Sequence, residues 1–418
     1  MKNFRQIFVN LLAFTAGVFV FINIRIFNAF LAICAVYFII QWCKNRVEIG
    51  QKVKSLCKLQ NLPKNIRKNV IEILILSGFS CFSSLDMMYS LTSYVSCLFL
   101  WSIIYILWGF FGKTDIKITK FFAYGFITAT LVLTILYVLN IPFMVSHDAI
   151  SSMLAGKSLT MLMIVFWLMV REKNAIFKVK YQNAILLTVY LLIAYITIKN
   201  HSFTSKMTII LSPIVYILFQ NLSRKIAVRA INIASAMVLI GVPLIVFFID
   251  MHWVFNKFPN MEPSFKHRIC IAKYSMEKFT ENPVSGNGFK AARLHNSQNP
   301  CFTISEEGWQ KHTLKHGIIL PKSALHEVVI PYNAGFHAHN FIIQILFEIG
   351  IFGIIVLWVF IRNILKNLPE YIYKTNEFAA NMAIISCLFT IYIFAFSLWE
   401  SWILTALFAL FYIFKTRK

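Results

Sequence analysis

Apolar runs of roughly 13–23 residues recur along the chain, separated by short polar connections. Most approach the ~20 residues that cross a bilayer core of ~30 Å, and in lipid such runs mean helices. The pattern predicts about twelve spans, over residues 7–23, 26–42, 69–84, 91–111, 121–143, 158–170, 183–198, 207–221, 231–250, 341–361, 379–397 and 402–414. One long polar segment, 251–340, interrupts the series. It divides the chain into an N-terminal bundle over 1–250, a large loop over 251–340 and a closing set of spans over 341–418. Inside the loop, Ile269, Ala272, Met276 and Phe279 fall at helical spacing and predict a helix over Arg268–Thr280. Asn282-Pro283 stops that helix, and Gly286-Asn287-Gly288 forms a turn. The loop ends in FHAHNFIIQILFEIGIFG (residues 336–353), which predicts an apolar helix running unbroken through Glu348 and Gly350 into the span 341–361.

Composition sharpens this into an all-α polytopic membrane protein. Of 418 residues, 58% are apolar, 16% aromatic and only 14% charged, with a mean hydropathy of +0.68, which excludes a soluble multidomain protein. The net charge of +23 invites a nucleic-acid partner, but its distribution argues against one. With the N-terminus inside, the segments that would be cytoplasmic hold 26 of the 40 Lys and Arg residues. The short-loop bias sets orientation, so both termini are expected in the cytoplasm and the long loop in the periplasm. A bacterial inner membrane is the expected location, with membrane lipids as the surroundings. The first apolar segment lacks a small-residue cleavage site and reads as a retained span. The basic run 43–68 reads as an orientation signal lying against anionic head groups. Cys270 and Cys301 share the loop, where disulfides form, and are a candidate pair.

Four groups could carry chemistry. His337, His339 and Asn340 stand where the loop meets lipid. Histidine titrates near neutral pH and serves as a general base, and an adjacent Asn orients a substrate or fixes the tautomer. An isolated pair of this kind also occurs as a simple helix-start hydrogen bond. Lys206, in the polar knot KNHSFTSKMT (199–208), and Arg268 could each bind phosphate, Lys206 with help from a helix N-terminus and Arg268 through its forked guanidinium. Alone, each also reads as structural, through snorkelling or an ion pair. His312 and His316 have metal-ligand spacing beside Glu306 and Glu307, but no further ligand completes a site, so no metal is expected. Glu400 lies in the tight connection between the last two spans, where an acid at the membrane edge is a functional candidate.

Together these residues resemble the O-antigen ligase and polymerase superfamily of bacterial membrane glycosyltransferases. The resemblance rests on His339-Asn340, Gln344, Glu348, Gly350 and Gly353, and on Arg268 followed by Asn282-Pro283-Val-Ser-Gly286-Asn-Gly288. By motif it covers about residues 190–400. One position departs: the family usually carries Ser-Arg or Thr-Arg where this chain has Ser205-Lys206, which keeps the charge but loses the bidentate fork. The resemblance implies a GT-C-like fold, no cofactor, and an inverting, metal-independent transfer at the periplasmic face. The donor would be a glycan on undecaprenyl pyrophosphate and the acceptor a hydroxyl of the lipid A-core oligosaccharide. His339 would be the catalytic base and Arg268 and Lys206 would bind donor pyrophosphate, with His337, Asn340, Glu348, Gly286, Gly288 and Glu400 in support. A repeat-unit polymerase and a protein O-oligosaccharyltransferase remain alternatives within the superfamily. A polysaccharide transporter or flippase is the reading from another class, but transporters show repeat symmetry and charged midplane helices.

Overall fold

The computed structural model describes residues 64–110, 116–139, 149–177, 179–199, 202–295, 299–304, 328–333, 340–367 and 376–394, with residues 11, 14 and 15. The elements in order are α1 (Lys64–Ser80), α2 (Met87–Phe110), α3 (Ile116–Val138), α4 (Ala149–Arg171), the short α5 (Lys173–Ile176), α6 (Gln182–Lys199), α7 (Phe203–Gln220) and α8 (Arg224–Phe248). The long segment after α8 contributes α9 (Met251–Lys257), α10 (Pro263–Glu281), β1 (Pro300–Ile304) and β2 (Val328–Pro331). The helices α11 (Phe341–Ile349), α12 (Ile351–Asn367) and α13 (Asn376–Phe394) follow.

Among the described residues, four helical stretches are long and apolar enough to cross a membrane: Thr119–Val138, Gln182–Lys199, Phe203–Gln220 and Lys225–Phe248. Each coincides with a span expected from hydropathy. The shorter apolar stretches Leu159–Arg171, Ile351–Asn363 and Asn376–Ile391 coincide with three more. The chain is a mostly helical membrane protein. The expected spans 7–23, 26–42 and 402–414 lie almost entirely outside the described residues.

Two packing centres organise the described chain. The first joins α3, α4, α6, α7 and α13 around Phe122, Phe126, Leu162, Trp167, Ile193 and Ala383. α4 is buried at every position from Leu159 to Val170, as a helix that is apolar all round must be. The second centre is built on α11, where Ile342, Ile343, Ile345, Leu346 and Ile349 pack against Cys81, Leu239, Ile271 and Phe289. It lies under the segment that follows α8.

The structure departs from the hydropathy reading at three points. The expected helix 341–361 is two helices, broken at Gly350, whose φ of +84° lies where only glycine is comfortable. The first piece stays buried beneath the loop while the second leaves it, and hydropathy cannot register a turn between two equally apolar pieces. The helix expected over Arg268–Thr280 starts earlier, with Pro263 in its first turn, where its missing N–H and fixed φ suit a helix start. Its polar first turn hid that start from a periodicity search. Finally, β1 and β2 form a two-stranded antiparallel pair, with Phe302 opposite Ile330 and Thr303 opposite Val329. The β-branched Thr303, Ile304, Val328, Val329 and Ile330 favour that pairing.

Cys270 of α10 and Cys301 of β1 are joined by a disulfide across 31 residues of sequence, so the strand pair is stapled to the helix that carries Arg268. By loop-closure entropy the bond contributes roughly 3–4 kcal/mol. Alkylation of denatured protein should label two more thiols after reduction than before. Equal labelling in both conditions would remove the bond.

Candidate active site

Helix α11 has unusual demands. Every residue from Ile342 to Ile349 is buried, so both ends of the helix need partners other than water. At its start, the Asn340 side-chain oxygen accepts from the backbone N–H of Ile342 (3.0 Å) and Ile343 (3.3 Å). At its end, the last carbonyls are satisfied by two glycine-rich segments. The Gly350 N–H donates to Ile345 O (3.1 Å) and Leu346 O (3.0 Å). The Asn287 N–H donates to Phe347 O (2.7 Å), reinforced by its side-chain amide (3.2 Å), and the Gly288 N–H donates to Glu348 O (3.2 Å). The Ile351 N–H closes the junction on Pro283 O (2.9 Å).

Glycine is required where these backbones meet. Gly286 has φ +69°, and a Cβ there would come within 2.5 Å of the Glu348 carbonyl carbon. A Cβ on Gly350 would collide with the Val284 carbonyl. Two motifs about sixty residues apart are therefore one physical joint. Asn287, between the two glycines, was not singled out by sequence, yet it is 2% exposed and ties the joint to α10 by donating to Lys278 O (3.0 Å). A polar residue in a glycine turn ordinarily faces water, so no local pattern marked its burial. Within α11, the Gln344 side-chain amide donates to Glu348 Oε1 (2.9 Å), and both residues are buried. That bond partly compensates the burial of the Glu348 side chain.

The same joint terminates α10, whose first turns carry Arg268. The Arg268 guanidinium lies over the Phe265 ring at 5.7 Å. Phe265 in turn packs edge-on against Phe203, with centroids 5.2 Å apart. Phe203 opens α7, about one turn before Lys206. The two cations singled out from sequence thus sit on helix starts that meet through an aromatic pair. The start of α7 is capped by Ser202, whose hydroxyl accepts from the Ser205 N–H (3.4 Å) and the Ser205 hydroxyl (3.0 Å), with Thr160 3.3 Å from Ser205. Helix N-termini of this kind favour anions. Burial lowers the Arg268 pKa and Glu262 raises it, and a guanidinium remains charged at neutral pH in either case.

His337, His339, His312, His316 and Glu400 lie outside the described residues. Among the described residues no group of three His, Cys, Asp or Glu could hold a metal ion. Sequence reasoning also passed over His295, which is 7% exposed and packs edge-on against Phe347 of α11 at 5.1 Å.

The fold and this joint define a helical membrane protein whose two candidate cations stand on helix starts beside the buried, mostly apolar helix α11. Residues 189–358 match the family model described as O-antigen ligase, and over this stretch the chain is similar to that family. A Rickettsia typhi protein provisionally named a polysaccharide ligase is 26% identical over 224 residues, covering 53% of this chain and 48% of that one. A Rickettsia felis protein with the same provisional name is 25% identical over 222 residues, covering 52% and 47%. The chain spans about half the length of the curated relatives it matches. No solved structure matches it.

Two predictions follow from this geometry. Gly286→Ala should destabilise the protein by about 2–3 kcal/mol through strain and backbone collision. In a membrane extract it should lower the melting midpoint, whereas Ser285→Ala at the exposed neighbouring position should not. Burial first, and the adjacent Arg268 second, hold the His267 pKa below the ordinary 6.5, and burial does the same for His295. The folded state then binds these protons less readily than the unfolded state. This stability is present above about pH 6.5 and is lost as pH falls through that value towards the folded pKa values. Melting midpoints should decline on acidification, with a shallower slope in His267→Asn.

Proposed function

We propose that this protein is an inverting membrane glycosyltransferase of the ligase type. It transfers a glycan from undecaprenyl pyrophosphate to a hydroxyl of the lipid A-core oligosaccharide, at the periplasmic face of a bacterial inner membrane. The observation that carries this reading is the meeting of the Arg268 and Lys206 helix starts through Phe265 and Phe203. A pyrophosphate leaving group is polyanionic, and two fixed cations at helix starts stabilise the charge that grows as it departs. In this reading residues 1–250 form the scaffold bundle, 251–340 the donor-binding loop and 341–418 the closing helices.

The step is a single displacement. The acceptor oxygen forms a bond to the anomeric carbon as the bond from that carbon to the pyrophosphate oxygen breaks. His339 takes the hydroxyl proton, and undecaprenyl pyrophosphate leaves with the electron pair. One displacement inverts the anomeric centre and needs no second carboxylate of the retaining kind. His337 and Glu400 support the base, while Asn340, Glu348, Gly286 and Gly288 hold α11 and the loop in register. Lys206 acts as a point charge where a forked guanidinium is usual in the family, so Lys206→Arg retains activity whereas Lys206→Ala does not.

The test is lipopolysaccharide banding in a ligase-deficient strain supplied with a matching donor. Wild-type chain should restore high-mass bands. At equal membrane levels, His339→Ala and Arg268→Ala should lower ligation by about 10²–10³-fold. Full restoration by His339→Ala would remove the proposed base. Failure of the wild type, with lengthened lipid-linked polymer accumulating, would favour the repeat-unit polymerase instead.

A further inference from the structure

At the end of the bundle away from Arg268 and Lys206, the start of α8 and the end of α12 border an open cleft of about 870 Å³. Lys225 and Arg229 line one wall at i, i+4 spacing on α8, and Arg362 and Lys366 line the other at the same spacing on α12. Like charges one helical turn apart repel, and Lys225 also stands against the positive end of the α8 dipole. The ion pairs among the described residues, Lys68–Glu72, Arg171–Glu172 and Lys278–Glu281, involve none of these four cations. Among the described residues, no carboxylate lines the cleft. Four positive groups therefore converge on one space with no carboxylate among the described residues to balance them, which suits an external anion. The Arg362 guanidinium is held over the Trp358 ring at 4.9 Å, which fixes one of the donors in place.

A second feature says which kind of anion fits. Ile233, which lines the cleft, begins an exposed apolar strip that continues along α8 through Met237, Ile240 and Leu244, 52%, 68%, 61% and 50% exposed. Their spacing puts them on one helix face, and that face lies on a stretch apolar enough to cross a membrane. A phosphate seated between the two cation pairs would have an acyl-chain path leading directly from it. The geometry points to a binding site for the phosphate headgroup of an anionic membrane lipid. A headgroup bearing two phosphates matches the two cation pairs best. The shared chemistry with a soluble polyphosphate is the phosphate oxygens, and the apolar strip assigns the lipid as occupant. Basic pockets between membrane helices are suited to such headgroups.

The test is native mass spectrometry of the full chain in detergent, titrated separately with cardiolipin, phosphatidylcholine and inorganic pyrophosphate. Cardiolipin should remain bound through activation while phosphatidylcholine is lost. Arg229→Gln combined with Arg362→Gln should weaken retention by roughly 30-fold, at roughly fivefold per charge removed. Arg229→Lys with Arg362→Lys should keep most of it, which separates lost charge from a folding defect. Lys173→Gln, a cation at the same end of the bundle but outside the cleft, should change nothing. Equal retention of phosphatidylcholine, or equal weakening by Lys173→Gln, would overturn the site. Pyrophosphate binding as tightly as cardiolipin would overturn its assignment to lipid. None of these readouts depends on transferase activity.

Discussion

The constraint on which the site depends is the burial of both ends of α11. A helix buried from Ile342 to Ile349 leaves its terminal carbonyls without partners unless other backbone reaches them. Asn287, Gly288 and Gly350 reach them, and the first two belong to the turn that ends α10. Satisfying one helix end thus fixes where another helix stops. Because α10 is a rigid rod, fixing its end also fixes where its start delivers Arg268.

The other cation arrives by packing. Phe203 and Phe265 join α7 to α10, and the Cys270–Cys301 bridge holds the strand pair on α10 from the side. The charge-bearing helix starts are in this way anchored to the membrane bundle at one end and to the loop's own framework at the other. In the proposed transfer, cations held by packed elements would keep their position as the anion's charge grows, so little reorganisation would be needed. A lysine in place of the family's usual arginine would weaken geometric fit in that proposed transfer while keeping the charge.

Much of this could be read in the sequence because spans and turns have strong local signals. Hydropathy found the stretches around α3, α6, α7 and α8, and Asn282-Pro283 with its glycines marked the end of α10. What escaped was set by tertiary contact. The break at Gly350 lies between two equally apolar pieces, and only their separate environments distinguish them. Asn287 has the composition of an exposed turn, yet burial makes it a clamp. The strand pair joins segments separated by more than twenty residues, beyond the reach of local periodicity. Asn340, Glu348 and the glycines could each be picked out beforehand as separate candidates. Their common joint could not, because it is made by backbone groups that carry no letter of their own.

That last point bears on how such a chain drifts over time. Where main chain meets main chain, the only side-chain requirement is that there be none, so Gly286 and Gly350 admit no substitute. Their apolar neighbours answer to volume and shape, so exchanges that conserve both cost less than any change at these glycines. A joint of this kind leaves fixed small letters in a changing apolar text.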